Sequence, residues 1–128
     1  MDFILTGLFA SFMAWVVNKL ILSKEGLKGV VFFGPFTEEL FKTGMALFFN
    51  TSIILTHIVF GFVEALIDYR NTNNSTVAIV SLASHTILGI ITYGSYILIG
   101  NIFIAFLIAV IIHILWNRLV INIVVQKS

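Results

Sequence analysis

The chain has 128 residues, of which 59% are hydrophobic and only 10% are charged. A soluble domain carries roughly 25% charged residues, so this composition, with a mean hydropathy of +1.09, indicates a protein that lies in a lipid bilayer. The net charge of +1 and the lack of a basic cluster argue against a nucleic-acid partner, and the absence of cysteine excludes disulfides and thiolate metal sites.

Five apolar runs predict an all-α, polytopic bundle of about five transmembrane helices, forming a single domain over residues 1–128. A helix needs roughly 20 residues, with about 17 tolerated, to span the hydrocarbon layer. The expected spans are residues 3–22, 27–49, 53–67, 76–98 and 102–121. Asp2 stands where a signal peptide would be positive, so the first run is expected to be a retained helix.

Basic residues predict the orientation, because Lys and Arg concentrate in cytoplasmic loops. The breaks at 23–26 and 68–76 and the C-terminal end are basic, whereas those at 50–52 and 100–101 carry no charge. This pattern places the N-terminus outside and the C-terminus inside. Six of the seven basic residues agree with it: Lys19, Lys24, Lys28, Arg70, Arg118 and Lys127. The abundance of Ile, Phe and Asn favours a prokaryotic cell membrane.

The seventh basic residue lies in "PFTEELFKTG", residues 35–44, which places three ionisable groups inside a predicted span. Such a group near the bilayer centre costs about 2.5–3.5 kcal/mol, so partners or water are required. Lys42 follows Glu38 by four residues, so the two side chains can pair on one helix face. Pro35 lacks a backbone donor and is predicted to kink the helix or to begin it.

The helical rise gives an approximate depth for each polar residue. At ~1.5 Å per residue, Glu38 and Glu39 lie roughly 16–18 Å from the inner face, His85 roughly 14 Å and His113 roughly 8–12 Å. Asn117 follows His113 by one turn, on the same helix face. Side chains from three helices therefore share one layer, as an assembled site requires.

Two further polar residues lie on the third span. By the same arithmetic His57 is only about 7 Å from the outer face, so it is expected to be structural or interfacial rather than part of the site. Glu64 lies closer to the shared layer. It could pair with Lys42 or with a histidine, or it could be a structural carboxylate.

These residue types permit hydrolysis by an activated water. A glutamate and a histidine can deprotonate water held between them, while a second histidine and Asn117 could donate to the oxyanion of an attacked carbonyl. Two histidines and one carboxylate also form a catalytic zinc shell, with Glu39, His85 and His113 as the candidate ligands. The HExxH spacing of helical zinc proteases is absent.

Four motifs in series resemble those of the PrsW-type intramembrane proteases, which are related to the CAAX prenyl endopeptidase and bacteriocin-processing superfamily. "PFTEELFK" is similar to the family signature Pro-x-x-Glu-Glu-x-x-Lys, and "FGFVEALIDY" is more loosely similar to the motif that ends in a glutamate, here Glu64. "SHTILGIITYG" resembles the histidine-plus-glycine helix, with His85 and Gly89, and "HILWN" resembles the His-x-x-x-Asn motif.

The resemblance implies an intramembrane endopeptidase that cleaves a membrane-embedded or lipid-anchored polypeptide. It implies that Glu38 or Glu39 activates water with His85, and that His113 and Asn117 stabilise the oxyanion. Lys42, Glu64 and Gly89 would support them. The resemblance leaves open whether the peptidase is glutamic or depends on a metal such as zinc.

Two departures from the family keep other functions open. The chain has fewer predicted spans than typical members, and Ala65 follows Glu64 where relatives more often have a polar residue. An inactive binding or immunity protein on the same fold is therefore the first alternative. A small proton- or ion-translocating subunit is the second, although a proton relay does not require the His-x-x-x-Asn motif.

Overall fold

The computed structural model describes residues 1–125, with side chains described as far as residue 120. Within this range the chain forms four α-helices: α1 Phe3–Phe48, α2 Ile53–Thr72, α3 Ser75–Ile99 and α4 Ile102–Val125. The predicted all-α class is confirmed. Lys127, which entered the orientation argument, lies outside the described residues.

Helix α1 is interrupted at Gly26, inside the predicted break at 23–26. Gly26 has φ +66° and ψ −162°, a conformation that is open only to glycine at low cost. The interruption divides α1 into a first half, residues 3–25, and a second half, residues 27–48. Five helical segments thus follow the five apolar runs, and the second half does not begin at Pro35, which lies buried inside the helix.

The other helix ends are specified by local side chains. Ser52, Asn74 and Asn101 accept hydrogen bonds from backbone N–H groups in the first turns of α2, α3 and α4. Asn73 ends α2 and Gly100 ends α3, both in the left-handed conformation that favours these residue types. The predicted break at 68–76 was too long, because the polar residues up to Thr72 continue α2.

Small residues allow the first half of α1 to approach α2 closely. A Cβ atom on Gly7 would lie 2.5 Å from Val59 Cβ, so only glycine fits at this crossing. Ala10 and Ala14 follow on the same face and pack in a core cluster with Phe60. Small residues at this spacing are typical of helix interfaces in membranes.

The outer surface of the bundle is apolar, and its interior contains charged and polar side chains beside apolar ones, which is unusual for the interior of a soluble protein. Large side chains such as Leu98 (87% exposed) and Phe48 (79% exposed) point outward, whereas acidic, basic and imidazole side chains are buried at the centre. Three helices, α1, α3 and α4, are long and apolar enough to cross a membrane. This arrangement is that of an integral membrane protein.

Candidate active site

Seven ionisable side chains meet at the centre of the bundle. The second half of α1 contributes three of them, α2 two, and α3 and α4 one each: Glu38, Glu39, Lys42, His57, Glu64, His85 and His113. Six of the seven are buried, and Glu64 is partly exposed. Four of the residues that the depth estimate assigned to one layer, Glu38, Glu39, His85 and His113, therefore meet in one cluster.

Glu39 is the most heavily bonded of these residues and is fully buried. Its Oε1 atom accepts hydrogen bonds from Lys42 Nζ at 2.5 Å and His113 Nδ1 at 2.9 Å. Its Oε2 atom lies 3.0 Å from His57 Nε2. A buried carboxylate is stabilised only when it is paired and hydrogen-bonded, and Glu39 meets both conditions.

Lys42 has no solvent exposure and joins α1 to α3. Its ammonium donates to Glu39 Oε1 and to His85 Nδ1, the latter at 2.9 Å, and lies 4.7 Å from the centre of the Phe60 ring. Lys42 pairs with Glu39 and not with Glu38, although the spacing would also allow the second pair. Adjacent residues point about 100° apart on a helix, and it is the Glu39 carboxylate that faces Lys42.

Glu38 is buried but has fewer partners. Its Oε1 atom accepts a hydrogen bond of 2.7 Å from the side-chain amide of Asn18, on the first half of α1. Thr37 donates to Asn18 Oδ1 at 3.2 Å and so orients that amide. The other oxygen, Oε2, lies 3.6 Å from His113 Nε2, slightly beyond hydrogen-bond distance.

The hydrogen-bond partners assign the tautomers of two histidines. An ammonium can only donate, so His85 Nδ1 accepts from Lys42 and its Nε2–H donates to Glu64 Oε2. His113 donates from Nδ1 to Glu39, which leaves the lone pair on its Nε2 atom free and directed towards Glu38. Both ring nitrogens of His85 therefore have hydrogen-bond partners. Among the described residues, His113 has a hydrogen-bond partner only at Nδ1.

Two glycines bring α2 and α3 together in a reciprocal manner. A Cβ atom on Gly61 would lie 2.8 Å from His85 Cβ, and one on Gly89 would lie 2.7 Å from His57 Cβ. Each helix thus places its histidine over the glycine of the other. Gly89, expected to support the site, does so by making room for the His57 ring.

Two cavities reach the cluster from different sides. The α3–α4 cavity, of about 150 Å³, is lined by polar residues of three helices that include Glu64, His85, His113 and Asn117. The α1–α2 cavity, of about 130 Å³, is lined by Asn18, Glu38 and Glu64 among others. Glu38 and His113, which face each other, therefore border different cavities.

His57, which belongs to the cluster, and Asn18, which donates to Glu38, were not predicted to lie in the site. His57 is fully buried and bonds Glu39, so it is not interfacial, whereas a structural role agrees with its position. The repeated spacing in "HIVFG" and "HTILG" is the signal that marks it, since both histidines occupy equivalent places at the α2–α3 crossing. Asn18 is a polar residue inside a predicted span, which is a weaker signal.

One group of residues could hold a metal ion. Glu38, His85 and His113 each offer a ligand atom, and these atoms all lie within 4.8 Å of one another. Glu38 thus replaces Glu39 in the predicted ligand set. The Oε1 atom of Glu39 already accepts hydrogen bonds from Lys42 and His113.

Comparisons of the chain with protein-family models, with curated proteins and with solved structures find no match.

Proposed function

We propose that the protein is an intramembrane endopeptidase that uses the Glu38–His113 pair to activate a water. The observation that carries the proposal is the position of Glu38 Oε2 and His113 Nε2, which lie 3.6 Å apart and have no hydrogen-bond partner among the described residues. Both atoms belong to a buried cluster that two cavities border. A carboxylate beside a histidine with a free lone pair is suited to general-base chemistry. A membrane-embedded or lipid-anchored polypeptide is the proposed substrate, because the outer surface is apolar.

In the bilayer, the two halves of α1 would form separate spans, giving five spans with the N-terminus outside. This topology requires Lys19, Lys24 and Lys28, which surround the interruption at Gly26, to lie on the inner side. Lys19, Lys24 and Lys28 are exposed, as are Arg70 and Arg118, so none of these charges is buried inside the bundle.

The α3–α4 cavity is the proposed binding site for the scissile peptide, because Asn117 and His113 line it together. In the reaction, Glu38 and His113 accept a proton from water as its oxygen attacks the carbonyl carbon. The Asn117 amide donates a hydrogen bond to the developing oxyanion. The C–N bond then breaks, and the same pair returns the proton to the leaving amine.

These roles differ from those that the family resemblance implies. The resemblance pairs a glutamate with His85 and assigns the oxyanion to His113 together with Asn117. The bonds of His85 to Lys42 and Glu64 leave it no free nitrogen, and His113 has no Nε2 proton to donate in its assigned tautomer. The hydrogen bonds therefore favour His113 over His85 as the histidine that assists Glu38. Asn117 is proposed as the oxyanion donor because it lines the same cavity as His113.

The donor set also fits a divalent ion, with Glu38, His85 and His113 as its protein ligands. One carboxylate and two imidazoles with an open position are the ligands of many catalytic zinc sites. A bound ion would lower the pKa of a coordinated water and so supply the nucleophile. His85 would have to release either Lys42 or Glu64 in order to bind it.

An inactive binding or immunity protein is the alternative, and one observation favours it. Glu39, Lys42 and His57 satisfy one another in a buried network that would join three helices without any catalysis. Such a protein would retain its biological activity when Glu38 or His113 is substituted.

The test is cleavage of a pool of single-span reporter polypeptides, with varied juxtamembrane sequences, in liposomes that contain the purified protein. Mass spectrometry would locate the cut. We expect the wild type to cleave within or next to the span, and Glu38→Gln and His113→Gln to lose this cleavage. Glu25→Gln, an exposed glutamate substituted in the same way, is the control. Failure of the wild type to cleave any reporter, or full activity of both site variants, would contradict the proposal.

A further inference from the structure

His57 has a hydrogen-bonding pattern that the proposed chemistry does not use. The side chain is fully buried on α2, and its ring fills the space that Gly89 leaves on α3. Nothing in the motif series accounts for it. Yet it is the only partner found for Glu39 Oε2 among the described residues.

The orientation of the His57 ring is determined by its own helix. Its Nδ1 atom lies 2.8 Å from the carbonyl oxygen of Ile53, one turn earlier. A carbonyl oxygen can only accept, so Nδ1 carries a proton and donates it. This bond directs Nε2 across the helix interface towards Glu39.

A second proton must lie between His57 and Glu39. The Nε2 and Oε2 atoms are 3.0 Å apart, and a neutral ring with its proton on Nδ1 would place two acceptors face to face. The proton therefore either makes His57 an imidazolium or sits on the carboxyl oxygen. In both forms the hydrogen bond holds Oε2 in place.

The bond between His57 and Glu39 also affects His113, because both histidines bond the same carboxylate. With Oε2 held by His57, Glu39 Oε1 is directed to His113 Nδ1, 2.9 Å away. An acceptor at Nδ1 keeps the proton on that nitrogen and the lone pair on Nε2, facing Glu38. Carboxylates orient histidines in the same manner in other hydrolytic sites.

We propose that His57 is a positioning residue which, by holding Glu39 Oε2, keeps His113 in the Nδ1–H tautomer that the Glu38–His113 pair requires. The tautomer assignment rests on the hydrogen bonds alone, whereas its value for catalysis rests on the function proposed above. Glu39 is accordingly a positioning residue as well.

The test is ¹⁵N NMR of histidine-labelled protein in detergent with a metal chelator present. The chain has three histidines, so single His→Gln spectra assign every ring. In the wild type we expect a protonated Nδ1 and an unprotonated Nε2 on His113. A wild-type His113 protonated on Nε2 instead would overturn the inference without the use of any variant.

Two variants of His57 then separate a positioning role from a packing role. His57→Leu removes the donor to Glu39, so we expect His113 to populate both tautomers and cleavage to fall by about 10- to 100-fold. His57→Gln supplies a side-chain amide that can donate to Oε2. It should therefore restore most of the Nδ1–H tautomer of His113 and most of the cleavage rate. Thr56→Val, which is also fully buried on α2, is the matched control and should change neither.

The outcomes distinguish this inference from the proposed function. The positioning role would be refuted if a folded His57→Leu protein kept the wild-type tautomer of His113. It would also be refuted if His57→Gln lost that tautomer as completely as His57→Leu does. A tautomer change in a protein that cleaves no reporter would support the positioning role and reject the endopeptidase.

Discussion

The two adjacent glutamates of "PFTEELFK" lie in contrasting surroundings. Glu39 belongs to a closed region with Lys42 and His57, where each charge is paired and no side chain is exposed. Glu38 belongs to an open region with His113, where each residue borders a cavity. Glu38 Oε2 and His113 Nε2 have no hydrogen-bond partner among the described residues. The same side chain thus serves as a structural anion at one position and as a candidate base at the next, because adjacent residues face different neighbours.

The largest effect on stability should come from the closed region. Glu39→Ala leaves the Lys42 ammonium buried without its anion, and removing one partner of a buried pair costs about 3–5 kcal/mol. We expect a large loss in the free energy of unfolding, measured by thermal denaturation in detergent. Glu38→Ala should cost clearly less, since its partner Asn18 is uncharged. Equal losses in the free energy of unfolding for the two variants would contradict the proposed difference between the closed and open regions.

The largest effect on activity should come from the open region. Glu38→Gln keeps an acceptor for the Asn18 amide but abolishes the base, so cleavage should fall by about 10²- to 10⁴-fold with an almost unchanged unfolding temperature. The measurement is the cleavage rate of the reporter polypeptide in liposomes. A stable and fully active Glu38→Gln protein would place the base elsewhere.

An intermediate effect is expected where α3 supports the closed region. A methyl group added by Gly89→Ala would lie 2.7 Å from His57 Cβ and 3.0 Å from its Cγ, so the helices must separate at a cost of about 1–3 kcal/mol. Gly44→Ala meets no atom within 4 Å and is the matched control. Gly44→Ala should leave the free energy of unfolding unchanged or raise it by up to about 1 kcal/mol, because alanine favours the helix. A Gly89→Ala protein as stable as Gly44→Ala would show that the crossing is not tightly packed.

The smallest effect is expected at Thr43, which follows Lys42. Its hydroxyl is buried and has no hydrogen-bond partner among the described residues. Thr43→Val removes this unsatisfied group at nearly constant volume, so we expect stability to rise by about 1 kcal/mol. Thermal denaturation would measure the change. A decrease instead would reveal that the hydroxyl is hydrogen-bonded, for example to a water.

Much of the architecture was predictable from the sequence because it depends on local properties. Runs of apolar residues specify the helices, and the interruption at Gly26 falls in the predicted break because its conformation favours glycine. The helical rise also placed Glu38, Glu39, His85 and His113 at similar depths. These inferences need only the helix repeat and the composition of each segment.

The position of His57 was not predictable in this way. The depth estimate treats each helix as an isolated rod normal to the membrane, and it therefore separated His57 from Glu39. In the structure α2 and α3 cross closely at Gly61 and Gly89, and α2 presents His57 directly to the Glu39 carboxylate.

The sequence by itself determined that this chain is a helical membrane protein with an acidic, basic and imidazole-rich interior. Only the tertiary structure decided that Lys42 pairs with Glu39 rather than Glu38, and that Glu38 is left facing His113. The reason is that a side chain's partners come from other helices. Their rotation and separation depend on packing between distant segments, which no spacing along one helix records.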